Sequence, residues 1–493
     1  MKRTAYIMAI LMFFSKILVA QAFDIDSLLG ESWYGLYFNG QKAGYALHSV
    51  VKDKDGNVVL REDSKFKMNM SKVKQDMQVF SERTYRPDGS LVSIFSRVTD
   101  VGTSEFDARV NGDRLILKTL TGGVAKTQDL PKPKESLADA VKYAKWMEGS
   151  PQIGDTLTFS AFEPLYGKEI GGSSQIAGVE WRVLDGVRTK VYKIKQTVDA
   201  MPLDTISYVT EHGDTLEDQV ADMLTMRLEP EEVAKDVDYS NDVIVSNAAM
   251  VDKPIADART RKSLRLTIHG PLSEEHFFND ERQYIQAEGS AFTFLGMRMT
   301  LDGFKTATIP VTEPSVQEFI QPTPFIQSGE KRLINKAKEI LGGEKDAWKA
   351  VNTLCHWVHG NMHTTFSARL TNAMEVLESL QGDCTEHSIL FIGLARAAGI
   401  PAREVAGLIY VGDEPGFYFH QWASVWVGKW IDIDPTFDQP LVDVTHIKLA
   451  EGDLFKQAKL IPLIGKLKIE VAPETGDQKN ESSRPPADTT KKP

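Results

Sequence analysis

Gly382-Asp383-Cys384-Thr385-Glu386-His387 opens a run that continues through Ile389, Leu390, Ile392, Leu394, Ala395 and Ala398 and stops at Gly399-Ile400-Pro401. The apolar spacing predicts a buried helix. Asp383 is its N-cap, Glu386 three residues later completes a capping box, and Gly399 with Pro401 behind it is the stop. Cys384 then falls on the first helical position, where unpaired backbone N–H groups and the helix dipole favour negative charge on sulfur. That is the setting of a nucleophilic cysteine. Immediately upstream, Asn372 and Glu375 predict a second capped helix that ends before Gly382, leaving the glycine to make the turn.

A thiol acting near neutral pH needs a base, and imidazole held by a carboxylate is the usual one. His420-Gln421-Trp422-Ala423-Ser424-Val425-Trp426-Val427 and Trp430-Ile431-Asp432-Ile433-Asp434 read as two strands around Gly428-Lys429. A two-residue turn places Ala423 and Val425 on one face with Asp432 and Asp434, mixing core with charge. Shifted by one residue, through a three-residue loop or a bulge, Ala423, Val425, Val427, Ile431 and Ile433 share one face, and His420, Trp422, Trp430, Asp432 and Asp434 the other. In that register Asp434 is diagonal to His420 and within side-chain reach, while Asp432 lies a step farther, so Asp434 is the expected orienting acid.

Four segments in this order resemble the transglutaminase-like core: Gly382 through His387, Ala395-Arg396-Ala397-Ala398-Gly399-Ile400-Pro401-Ala402-Arg403, His420-Gln421-Trp422, and Trp430-Ile431-Asp432-Ile433-Asp434-Pro435-Thr436. The resemblance covers residues 347–449. It implies a papain-like fold, in which a helix carrying the cysteine packs on an antiparallel sheet carrying His and Asp, and it implies a triad of Cys384, His420 and Asp434. The Cys-Gly-Ser-Cys-Trp type of signature of papain-like proteases is absent.

Upstream of this core, Pro310, Pro314, Pro322 and Pro324 mark the expected main domain boundary. Before it, residues 23–135 alternate polar and apolar around Asn39-Gly40, Asp55-Gly56, Asp88-Gly89 and Asn111-Gly112. A helical pattern interrupts at 136–147, and strands resume to about residue 210. The fold class is therefore α+β, with a β-rich N-terminal half of antiparallel sheets, as two modules or one long sheet, followed by the papain-like core. The expected domains are a β-rich region at 23–225, a mixed, partly β linker domain at 226–325, the catalytic domain at 326–471, and a tail at 472–493 too poor in apolar residues to fold. Residues 1–22 read as a secretory signal, with Lys2 and Arg3, an apolar run, and Ala20-Gln21-Ala22 as cleavage site. They predict export to the periplasm or cell exterior, with an uncleaved membrane anchor as the alternative.

The net charge of −11 argues against a nucleic-acid partner, whose phosphates must be neutralised by Lys and Arg. Two cysteines do not make a disulfide scaffold, and Cys355, in an apolar helical pattern, reads as a small buried hydrophobe. Cys355, His356, His359 and His363 invite a zinc reading, but no second ligand pair follows, so no metal is expected; no EF-hand-like loop and no cofactor motif occur either. His387, three residues beyond Cys384, and Trp422 are secondary candidates for substrate contact, with a structural histidine as the competing reading of His387. The backbone N–H of Cys384 is the expected oxyanion donor, with Gln381 as a second.

These residues predict attack of Cys384 on an amide or ester carbonyl of a protein or peptide substrate, giving an acyl-enzyme. Resolution by water makes a protease or amidase, the favoured reading; resolution by a lysine amine makes a protein-glutamine γ-glutamyltransferase. The rival from another class is a non-catalytic envelope binding or scaffold protein.

Overall fold

The computed structural model describes residues 29–472 apart from 71–72, 100–102, 122–123, 185, 200, 221–222, 238–247, 366–370 and 413–414. The expected signal segment at 1–22, and all but residue 472 of the expected tail, lie outside the described residues. The chain divides into two compact units. One comprises residues up to 243 with 366–379 and 454–461; the other comprises 244–365, 380–453 and the residues from 462.

Among the described residues of the first unit, fourteen antiparallel strands form one sheet. Neighbours in sequence pair from Gly30–Phe38 to Val124–Pro131 and again from Thr156–Glu163 to Leu224–Leu228. Gly30–Phe38 also pairs with Leu224–Leu228, so the ladder is continuous and ends only at Val124–Pro131 and Thr156–Glu163. One sheet thus answers the two-module alternative, and its joining strand runs past residue 225. The predicted Asn-Gly and Asp-Gly turns carry their glycines at φ 78° for Gly40 and Gly56, 84° for Gly89 and 63° for Gly112.

Between the two free ends of the ladder come helices Leu137–Ala140 and Lys142–Glu148, on the predicted helical pattern. Tyr143 and Met147 pack there against Ile176, Tyr192, Ile194 and Val209. Glu135 ties this region together: its buried carboxylate accepts from Arg83 at 2.7 Å, from the Tyr85 hydroxyl at 2.6 Å and from the Phe162 N–H at 2.7 Å. Strand Val73–Tyr85 is thereby joined to strand Thr156–Glu163 by a fully hydrogen-bonded carboxylate rather than by a ladder.

In the second unit the helix Cys384–Ala397 lies against the strands Gly416–Trp426 and Ala402–Val411, and helices Lys331–Leu341 and Ala347–Asn361 pack on it. Its Leu390, Phe391, Ile392, Leu394 and Ala395 are fully buried, as are Leu333, Val351, Leu354 and Val358 of the other two helices. This all-round burial explains why the run is apolar on every face. The sheet beneath is ordered Ala249–Met250, Gly416–Trp426, Ala402–Val411, Ile447–Glu451, with Trp430–Ile433 also on Gly416–Trp426. A second sheet joins Gln283–Glu288, Ala291–Met297 and Ser263–His269 to the late strand Lys468–Val471.

The chain divides near residue 244, and the proline-marked stretch runs inside the second unit. Its backbone is bonded along the core: Ala307 N–H donates to Val427 at 2.7 Å, Ile309 to Lys345 at 2.9 Å and Val311 to Gly399 at 2.9 Å. Prolines that punctuate a linker and prolines that lead an extended segment across a core read alike in sequence.

Candidate active site

Asp383 is extended and caps the helix, accepting from Thr385 N–H at 2.7 Å, while the Glu386 carboxyl reaches back to the Asp383 N–H at 2.8 Å. Both caps are buried, and burial, with the Asp383 carboxylate beside it, pushes the Glu386 carboxyl well above the usual range. The cap fixes Cys384 as first helical residue, 3% exposed. The Ser388 hydroxyl lies 2.7 Å from the Cys384 carbonyl and 3.1 Å from that of Gln421, fastening the first turn to the strand that bears His420.

Gly382 is needed on two counts. Its φ is +151°, and a Cβ there would stand 2.2 Å from Glu386 Cβ and 2.3 Å from Cγ. Gly382→Ala must therefore expel the Glu386 side chain and break the capping box. We expect a loss of about 1–3 kcal/mol from backbone strain, read as a lower melting temperature by circular dichroism, with slower labelling of Cys384.

The hairpin carrying the other two candidates pairs Ala423 with Ile433, Ser424 with Asp432, Val425 with Ile431 and Trp426 with Trp430. That is the shifted register, closed by the three residues Val427, Gly428 and Lys429. His420 Nε2 lies 2.7 Å from Asp434 Oδ2, which leaves Nδ1 as the other ring nitrogen, and the Cys384 sulfur lies near enough to bear on the charge of the imidazole. Burial pushes His420 down, but the Asp434 carboxylate and the Cys384 sulfur outweigh it and raise the imidazole to about 9. Burial opposes the charge of Asp434 in turn, yet His420 and His446 hold it well below the usual carboxylate range. Asp434 Oδ1 accepts the Thr436 N–H at 2.8 Å, so the Asp-Pro-Thr sequence makes an Asx-type turn that fixes the carboxylate.

Asp432 serves a different cluster. It lies 3.0 Å from Lys448 and 3.4 Å from Arg282, and Arg403 pairs with Glu451 at 2.9 Å, around a pocket of about 340 Å³ that Trp430 also lines. Trp422 is fully buried and stacks on His420, ring centroids 6.0 Å apart and planes at 21°, so its ring supports the imidazole from within the core. His387 is buried too, its Nδ1 2.7 Å from the Asp383 carbonyl, and burial pulls it below its usual value. Gln381 is exposed in a two-residue strand beside His363.

Cys355 is fully buried, with its sulfur 3.7 Å from the Asp434 carbonyl oxygen, and burial pushes the thiol up. The nearby histidines point to separate partners, His356 to Asp438 at 2.5 Å and His359 to the Thr436 carbonyl at 3.1 Å. Among the described residues, His420, Asp434 and His446 bring ligand-type atoms within 4.8 Å of one another, but both Nε2 atoms are already bonded to Asp434, so the cluster is a hydrogen-bond chain. His446 and the Phe437 ring, 5.4 Å from His420 and 41% exposed, were not legible in advance: neither falls at a spacing that marks chemistry.

Residues 334–435 match the transglutaminase-like superfamily. A protein of Haemophilus influenzae is 34% identical over 98 residues, 19% of this chain and 26% of its own length. One of Mycobacterium leprae is 25% identical over 156 residues, 30% of this chain and 54% of its own length. Neither has a functional name, and the chain spans about a quarter and about half of these curated relatives. Among solved structures, a candidate cysteine protease from Cytophaga hutchinsonii is similar with a TM-score of 0.33 and 19% identity, over 44% of this chain and 88% of that one.

Proposed function

Taking residues 334–435 as a transglutaminase-like domain, we propose that the protein is an exported thiol enzyme that cleaves amide bonds of proteins or peptides, with Cys384 as nucleophile, His420 as acid and base, and Asp434 as orienting carboxylate. The observation that supports this reading is the buried imidazole of His420, bonded to Asp434 at 2.7 Å and influenced by the sulfur of Cys384 at a helix start.

The Cys384 thiolate adds to the scissile carbonyl, and the developing oxyanion is met by the backbone N–H of Cys384 at the positive end of the helix. Collapse breaks the C–N bond, and the proton on His420 goes to the leaving amine, leaving a thioester. A water molecule gives a proton back to His420 as it attacks the thioester, releasing the acid and the thiolate. Asp434 stays ionised throughout and keeps the imidazole in one orientation.

The raised imidazole sets the pH dependence. His420 is protonated at neutral pH and loses its proton near 9, and the leaving amine needs that proton. Hence kcat/KM is expected to fall as pH rises through about 9.

Incubation with an unfolded protein such as casein, followed by intact-mass and peptide analysis, tests the assignment. Cleaved peptides and an acyl adduct on Cys384 are the expected result. Incorporation of an added primary amine without cleavage makes it a cross-linking transferase instead, and no adduct or product in a folded sample returns the chain to the class of binding proteins.

A further inference from the structure

We propose that His446 is a second histidine of this apparatus, a positioning residue whose N–H holds the Asp434 carboxylate on His420; the proposal rests on the reading of Cys384, His420 and Asp434 just given. Asp434 Oδ2 receives His420 Nε2 at 2.7 Å and His446 Nε2 at 3.0 Å. Without His446, that oxygen has a single partner, the very imidazole it is meant to orient. Thr436 N–H already holds the other oxygen, Oδ1, at 2.8 Å, and His446 adds a second hold on Oδ2 itself, keeping the atom that faces His420 in place as the imidazole gives and takes its proton.

His446 is itself enclosed by the core. It is fully buried, edge-on to Trp422 at 5.2 Å and 82° and to His420 at 5.9 Å and 62°. Its carbonyl accepts from Arg282. Its Nδ1 stands 3.4 Å from Asp443 Oδ1, long for a hydrogen bond but close enough for that carboxylate to favour a proton on Nδ1, so that with Asp434 facing Nε2 the two carboxylates together favour the imidazolium, which donates to Asp434.

Asp443 is fixed in its turn. It accepts from Thr445 N–H at 2.7 Å and Thr445 hydroxyl at 2.6 Å, from Gln439 Nε2 at 2.8 Å and from Arg259 at 2.9 Å. The charged and titratable groups around His446 are thus Asp434, His420, Asp443 with Arg259, and Arg282. Packing alone does not call for imidazole here, since a phenyl ring fills the same space without the cost of burying two polar nitrogens.

The test is the rate at which iodoacetamide alkylates Cys384 at pH 7 in the full chain, followed by peptide mass spectrometry so that Cys355 does not interfere. His446→Phe keeps the ring and loses the donor, and is expected to slow Cys384 by about 10-fold or more. His446→Gln restores an N–H of similar reach and is expected to return the rate close to that of the unsubstituted protein. If His446→Phe fails to fold, His446→Asn, whose amide stops short of Asp434, takes its place with the same expectation. A folded Phe or Asn variant that labels at the unsubstituted rate overturns the proposal, as does a Gln variant that is equally slow, because packing rather than the donor is then at work. If Cys384 of the unsubstituted protein reacts no faster than a free thiol, the triad reading and this inference fall together; if it reacts fast in every variant, only the role of His446 falls.

Discussion

Cys384→Ala abolishes activity, by on the order of 10⁴-fold or more, while the protein still melts within a few degrees of the unsubstituted one. The side chain is small and 3% exposed, and the helix start is fixed by Asp383 and Glu386 rather than by sulfur, so removing it leaves the fold intact. His420→Ala produces a loss of similar size, and the double substitution adds little to either, because a nucleophile and its base act as one unit. Turnover assays on the three variants check this. Residual turnover within tenfold of the unsubstituted protein in Cys384→Ala removes this cysteine from the mechanism.

Asp434→Ala is expected to cost both activity and stability. On the activity side, an imidazole without its carboxylate loses its orientation and the charge that stabilises the imidazolium, a loss on the order of 10⁴-fold in comparable triads. On the stability side, Asp434 is completely buried and accepts from His420, His446 and Thr436. Deleting it strands three donors in the core, and breaking a buried charge pair of this kind costs about 3–5 kcal/mol. The same carboxylate gives a pH signature. Its folded-state value lies below its unfolded one, so its contribution is present above about pH 4 and is lost as pH falls further. Asp434→Ala is therefore expected to melt well below the unsubstituted protein at pH 7, with the gap narrowing in acid. A gap that stays constant down to pH 3 contradicts the assignment of Asp434 as a buried, ionised partner.

The parts of this structure that were legible in sequence are those where one local rule decides. The Asp383 and Glu386 capping box follows from residue types three apart, and it places Cys384 on the first turn. The register of the His420 hairpin follows from keeping Ala423, Val425, Ile431 and Ile433 on one side, and the observed pairs Ala423 with Ile433 and Val425 with Ile431 are those of the shifted ladder. The Asn-Gly and Asp-Gly turns of the strand-rich unit follow from backbone freedom at positive φ.

What escaped the sequence depends on partners far apart in the chain. The pairing of Gly30–Phe38 with Leu224–Leu228 joins two runs of hairpins into one sheet, and no local feature of either strand announces it. The partners of the proline-marked stretch at Lys345, Gly399 and Val427 lie tens of residues downstream. His446 sits one residue before the strand Ile447–Glu451, at no spacing that marks chemistry; only the fold brings its Nε2 to Asp434. Trp422, a secondary candidate for substrate contact in sequence, is closed over completely by the core and stacks on His420 from within it.

The central claim, that His420 activates Cys384, is tested most directly by the alkylation rate of Cys384 at pH 7 in the unsubstituted protein and in His420→Ala, each followed by peptide mass spectrometry. Fast labelling that drops by at least about tenfold without the imidazole is the predicted result, since the thiolate is the reactive form and the base is what maintains it. Equal rates in the two proteins, with both correctly folded, contradict the account.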